Sequence, residues 1–317
     1  MKFLCLLMTL FCLAFMPQAA LAADSDQPSK VFFTKDISPA GLKRIYEALE
    51  RSPTGKVAVK LTVGEPGNNY HLDPNLIKDL VHSVNGTFID GNTAYGGKRG
   101  TVAEHMKAAE DHGFLAVAPL DILDADGEAR LPITGGTHLK EVRVGSHFKN
   151  YGSMLVLSHF KGHGMAGFGG ALKNISIGIS SPTGKRLVHT AGNSETDFLD
   201  GPEKQEYFIQ SMAEASQGMI ADMGPENILY ISVMNNLSVD CDCNGNPAAP
   251  ELHDIGILGS LDPVALDKAC VDLVYQADEV HSSSLRQRME EKLGVEILNH
   301  AEKLGLGSQT YELVKLD

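Results

Sequence analysis

Lys56-Val-Ala-Val-Lys-Leu-Thr-Val63 is the stretch on which the fold turns. It is a short, mostly apolar run that ends in a polar glycine- and proline-containing loop over 64–74. Runs of that length and composition are strands buried within a sheet. Upstream, Val31-Phe-Phe33 reads as another strand, and Ser38-Pro39 opens a helix to about 51, with proline at the first helical position. Downstream come a helix over 75–84, the strand Thr87-Phe-Ile-Asp90, a four-glycine loop over 91–100 and a helix capped by Thr101 and running to 112. Strand and helix alternate from 30 to 113, which is the pattern of a parallel sheet covered by helices.

Beyond 113 the pattern changes. The runs 114–123, 129–133, 139–144 and 154–160 predict antiparallel or mixed strands added to that sheet. Helices are predicted over 171–179, 203–220, 263–276 and twice within 282–305. Short strands are predicted at 228–233, 255–258 and 311–316. The fold class expected is α/β, a mixed and partly parallel sheet with flanking helices. Residues 23–317 read as one such domain, with the weakest continuity at 150–200, where a subdomain boundary would fall.

The first 22 residues read as a secretory signal peptide. Lys2 precedes an apolar stretch over 3–16, and Ala20-Leu-Ala22 forms a small-x-small cleavage site. The expected location is the periplasm or the exterior, reached through the Sec route. No later stretch has 18 uncharged apolar residues, so no membrane insertion is expected. With 27 basic and 40 acidic residues the net charge is −13, which argues against nucleic acid as the partner. The hydrophobic content of 43% belongs to a globular chain and excludes a disordered or low-complexity one.

Chemistry concentrates in Ser158-His-Phe-Lys-Gly-His-Gly-Met-Ala-Gly-Phe-Gly-Gly-Ala-Leu-Lys-Asn174. A glycine-rich turn between a strand end and a helix start is where α/β sheets place ligands. The backbone of Gly169 and Gly170, with Asn174, suits a small anion at the helix start. Lys161 and Lys173 add charge, and His159 and His163 can bind metal or transfer protons. The polar loop Asp90-Gly-Asn-Thr-Ala-Tyr-Gly-Gly-Lys-Arg99 offers Thr93 and Arg99 to the same ligand.

Cys241-Asp-Cys243 is the second constellation. In an extended stretch both sulfurs face one side and could share a soft metal. A bond between them is sterically awkward, and a bridge from either one to Cys270 is the alternative. Asp254 follows His253 and could join a metal site, whereas Asp262 reads as a helix N-cap. His71, His82, His105, His112 and His300 read as scattered surface histidines.

Jointly these segments resemble the domain-of-unknown-function family 362, whose members are often labelled iron–sulfur centre proteins. The resemblance runs from about 31 to 316 and is carried by Asp90–Thr101, Ser158–His163, Gly170–Asn174, Cys241–Cys243 with Asp254–Ser260, and Asp262–Asp267. Many members insert a cysteine-rich ferredoxin-type segment after the position of His189. Residues 190–206 contain no cysteine here, so a [4Fe–4S] cluster is not expected. A more distant resemblance is to the nickel-pincer lactate racemase family, through His163-Gly-Met-Ala-Gly-Phe-Gly-Gly-Ala-Leu-Lys173 and the later His189. It implies Lys173 as tether or anion ligand, His163 as acid/base and His189 as metal ligand.

The expected function is a metal- and anion-binding site on an exported protein, acting on a small carboxylate by proton transfer. Catalysis would rest on His163, Lys173 and Lys161, and metal binding on His189, Cys241, Cys243, His159 and Asp254. Nickel, iron or zinc is the cofactor class expected. The alternative is a non-enzymatic binding or accessory protein.

Overall fold

The structure is a computed structural model and describes residues 27–198 and 200–317. The predicted signal peptide and its cleavage site lie outside the described residues. The strands are β1 (Ser29–Thr34), β2 (Val57–Lys60), β3 (Thr87–Asp90), β4 (Leu120–Ile122), β5 (Glu128–Pro132), β6 (Glu141–Gly145), β7 (Ser153–His159), β8 (Lys161–His163), β9 (Gly167–Gly169), β10 (Ile228–Met234), β11 (Gly256–Ser260) and β12 (Tyr311–Lys315). The helices are α1 (Pro39–Ala48), α2 (Pro74–Ser83), α3 (Val102–Asp111), α4 (Ala171–Ser176), α5 (Pro182–His189), α6 (Gln205–Met223), α7 (Pro263–Gln276), α8 (Glu279–Glu291) and α9 (Glu296–Lys303).

An eight-stranded sheet in the order β12-β1-β11-β10-β7-β2-β3-β4 forms the centre. Every neighbouring pair is parallel except the two made by β11, which runs against both β1 and β10. The class is therefore the mixed α/β arrangement with flanking helices that the sequence predicts, and more of its sheet is parallel than the strands expected beyond 113 imply. Both faces are covered. Along β7, Met154 and Val156 enter one apolar cluster, and Leu155 and Leu157 enter the other. That alternation follows from the two-residue period of a strand. Helices α1, α2 and α3 bury Leu42, Ile45, Leu76, Ile77, Leu80, Val81, Ala108 and Ala109 on one face. Helices α4 to α9 cover the other.

Helix starts follow the predicted chemistry. Ser38, Thr101 and Asp262 each accept a backbone N–H at the mouth of α1, α3 and α7. The region after 113 departs from expectation. Gly113, at φ 83°, leads into a 3-10 turn at Phe114–Ala116 instead of a strand. β4 and β7 join the main sheet in parallel, and the antiparallel pair β5–β6 stands apart as its own ribbon.

Topology fixes where a ligand can sit. From β2 the chain steps outward through β3 to β4, then returns to place β7 on the opposite side of β2 and β10 beyond it. The crevice at the carboxyl ends of β2 and β7 is this sheet's switch point, where open α/β sheets bind ligands.

Candidate functional site

A pocket opens at that crevice. Its wall includes Lys60 at the end of β2 with Thr62 beyond it, Asp90 at the end of β3 with Thr93 beyond it, and His159 at the end of β7 with Lys161 beyond it. Lys173 and Asn174 of α4, Lys185 and His189 of α5, and the Cys241–Cys243 turn after β10 complete it. Lys161, His163, Gly169, Gly170, Thr93 and Arg99 all line it as well, so the structure gathers nearly every predicted site residue. Asp254 does not line it; its carboxylate accepts the Asn236 N–H at 2.8 Å.

Most of the pocket's cations are already paired. Lys60, fully buried, gives its three protons to Asp90 at 3.1 Å, Asn174 at 2.9 Å and the Leu61 carbonyl at 2.6 Å. Arg99 holds Glu65 at 3.0 Å and lies 3.6 Å from Asp90. Burial alone would raise the Asp90 carboxyl, but Lys60, His105 and Arg99 hold it well below the usual carboxylate range. Lys161 pairs with Asp242 at 2.6 Å, and His159 reaches the same carboxylate at 3.0 Å. These two overcome the burial of Asp242 and depress it likewise. The other ring nitrogen of His159 meets the Asn235 carbonyl at 2.7 Å, so neither is left for a metal.

Two lysines are different. Among the described residues Lys185 Nζ donates only to the Ser180 carbonyl, at 2.5 Å. Lys173 Nζ has no hydrogen-bonding partner among the described residues. Loss of hydration, then the charges of Lys60, Lys185 and Arg99, lowers Lys173 to about 8. Burial brings Lys185 to about 8 too, against the pull of Asp90 and Asp124. In the same wall Thr93, 7% exposed, has a buried hydroxyl without a partner among the described residues. The surplus is two cations and one hydroxyl.

Of the three histidines that line the pocket, His163 and His189 hold opposite tautomers. His163 Nδ1 accepts the N–H groups of Met165 at 3.1 Å and Ala166 at 2.9 Å, so a neutral ring carries its proton on Nε2. That nitrogen lies 3.8 Å from Cys243 Sγ. Burial, then Lys173, keeps His163 well below its ordinary pKa. His189 Nδ1 donates to the Lys185 carbonyl at 2.6 Å, leaving its Nε2 bare. The ring stacks on Phe208 at 4.8 Å, and burial lowers it to about 4. His189 has the proton placement of a metal ligand or base, and His163 has that of a donor.

Cys241 and Cys243 are bonded to each other, and Cys270 is free and buried. The bond that reads as sterically awkward is thus the one that forms, and the alternative bridge to Cys270 does not. The segment is a turn rather than a strand, closed by Asn244 N–H on the Cys241 carbonyl at 3.0 Å, and it brings the two Cα atoms to 5.2 Å. Ligand atoms of His163, Cys241 and Cys243 lie within 4.8 Å of one another, the spacing of a metal group. While the bond is closed, the sulfurs are not thiolate donors, and the His163 proton stands on the nitrogen that faces them. The donor set does not fit a metal in this state.

Two further expectations need correcting. The start of α4 does not await an anion, because the N–H groups of Ala171 and Leu172 are taken by Asp267 at 2.7 and 3.0 Å. A Cβ on Gly170 would lie 2.3 Å from that carboxylate, so glycine permits the approach. Asn174 is likewise spent on Lys60 and Ser158. His105 and His300 are buried rather than surface residues. His105 sits 3.3 Å from Asp90, and His300 sits 3.1 Å from Glu214.

The reading from sequence missed Lys60, Asp90, Asp242 and Lys185. Two of them carried a signal: a lysine in the middle of the apolar run 57–61, and an acid between two cysteines. Lys185 precedes His189 by one helical turn on α5, a spacing visible only once the helix is placed.

The profile of the family described as Domain of unknown function (DUF362) matches residues 57–272. The chain belongs to that family, as its motifs predict. No curated protein matches it. A Thermotoga maritima protein solved by the Northeast Structural Genomics Consortium is similar over 77% of this chain and 59% of its own, at 14% identity and a TM-score of 0.46. Lactate racemase apoprotein from Thermoanaerobacterium thermosaccharolyticum is similar over 65% of this chain and 51% of its own, at 16% identity and a TM-score of 0.38. This chain thus covers less than two thirds of either.

Proposed function

We propose that this DUF362 protein takes a small carboxylate into the pocket, holds it on Lys173 and moves a proton at the adjacent carbon. The observation that carries the reading is that one pocket wall holds both the Lys173 ammonium and the Thr93 hydroxyl, neither with a hydrogen-bonding partner among the described residues. A cation poorly hydrated and surrounded by like charge calls for an anion, and a buried hydroxyl calls for an acceptor or donor. Lys185 supplies the second positive charge. With Lys173 near 8, its neutral and charged forms are both accessible at ordinary pH, as acid/base work requires. The bare Nε2 of His189 offers a second acceptor. Lys161 and His159 then serve as positioning residues through Asp242.

Calorimetry with lactate, pyruvate and malonate tests the binding. Proton transfer is tested by NMR, following loss of the α-hydrogen of lactate in D2O. Binding with exchange supports an enzyme, and binding without it supports an accessory protein that holds the same ligand. No heat from any of the three at millimolar concentration would sink the reading.

A metal-holding role is the second reading, favoured by the clustering of His163, Cys241 and Cys243. It requires reduction of the bond and movement of the His163 proton. Once reduced, the thiolates would suit zinc, iron or nickel. Metal content of the reduced protein should fall in Cys241→Ser, and an unchanged stoichiometry would count against thiolate ligation. Export belongs to the same proposal and rests on residues 1–22. Sequencing the amino terminus of extracytoplasmic protein should begin at Ala23.

A further inference from the structure

We propose that the Cys241–Cys243 bond is a thiol–disulfide exchange site whose partner is a small thiol that also carries a carboxylate. The choice of partner rests on the carboxylate reading of the pocket. Both sulfurs are half-buried in the pocket wall, in the company of Lys173 and His163. Cys270 makes the contrast: it is fully buried, and burial pushes its thiol well up.

The bond does little as a staple. Its partners are two positions apart, so it removes less unfolded-chain freedom than almost any other bridge could. The turn is held without it. Asp242 is fixed by Lys161 and His159, and its carbonyl accepts the Glu65 N–H at 2.7 Å. Asn68 donates to the Cys241 and Asn244 carbonyls at 3.4 and 3.0 Å. Opening the bond leaves both sulfurs in the pocket.

His163 sets the direction. Its Nε2–H faces Cys243, ready to donate to a thiolate released there. The incoming thiolate attacks Cys241 Sγ, the bond between the sulfurs breaks, and the electron pair passes to Cys243, which takes a proton from solvent. A second small thiolate attacks the sulfur of the first, releasing Cys241 as thiolate, which is then protonated. The protein gains two electrons and two protons, and two small thiols leave as one disulfide.

The test uses the oxidised full-length protein with mercaptoacetate, 2-mercaptoethanol and cysteamine at equal thiolate concentration. Mixed disulfide is followed by mass and new protein thiols by a chromogenic disulfide. The expected result is two new thiols, formed at least about tenfold faster with mercaptoacetate than with 2-mercaptoethanol and slowest with cysteamine. Excess lactate should slow mercaptoacetate most. No reaction with any of the three, while calorimetry still shows lactate binding, would overturn the exchange site and leave the carboxylate pocket standing. Equal rates for all three would overturn the assigned partner, and with it the anion pocket, although the bond would be reactive.

Discussion

Lys173 keeps a charge at a wall where Lys60, Lys185 and Arg99 repel it more than Asp242 attracts it, and no group among the described residues accepts a hydrogen bond from it. Such a group serves a ligand at the expense of the empty protein. Lys173→Met should therefore raise stability by about 1–3 kcal/mol at pH 7, read as a higher Tm, while weakening carboxylate binding by at least about tenfold. The sign follows from the lowered pKa. The folded state carries the full cost of the charged lysine below about 8, and the cost fades as pH rises toward the ordinary value of 10.5. The stability gap between variant and wild type should narrow across that window. Carboxylate affinity of the wild type should fall as pH passes 8. An unchanged Tm together with unchanged affinity would remove Lys173 from the site.

Among the elements, α4 and α7 are joined by one carboxylate. Asp267 of α7 occupies the start of α4, and Gly170 leaves it room. Gly170→Ala should cost about 1–3 kcal/mol in denaturant unfolding through that clash. Asp262 caps α7 through Val264 and Ala265, and its other oxygen receives Ser29 and Ser308. Asp262→Ala should cost more than the ~1 kcal/mol of an ordinary cap, since two further segments lose an acceptor. A cost below that would mean the extra bonds are idle. The cap was legible in Asp262-Pro263, because capping is local chemistry. The Asp267 contact was not, because it joins residues 95 and 96 positions apart. For the same reason the strands to 113 and the site loop could be read from periodicity and composition. The separate β5–β6 ribbon could not, since local sequence says nothing of which strand pairs with which.

For the whole molecule, Asp267 leaves a signature in the pH dependence of stability. Burial raises it to about 7, so the folded state binds a proton that the unfolded state has lost above about 4. Its contribution is fully present below that range and is lost as pH rises from about 4 to about 7. His189, lowered to about 4, acts in the opposite sense over a similar range. The comparison of wild type with Asp267→Asn isolates the first effect. Relative to the variant, wild type should lose on the order of 1–4 kcal/mol between pH 4 and 7 in unfolding titrations. Parallel curves would place the charge of Asp267 elsewhere. The sheet has one more consequence. β12 lies parallel to β1 at its edge, with Ser29 opposite Tyr311 and Phe33 opposite Lys315. A pull applied ahead of β1 and behind β12 draws these two strands past each other lengthwise. Their ladder would then be strained in shear, all rungs sharing the load at once, whereas an antiparallel pair tugged from its open end unzips rung by rung. This edge should bear tension well.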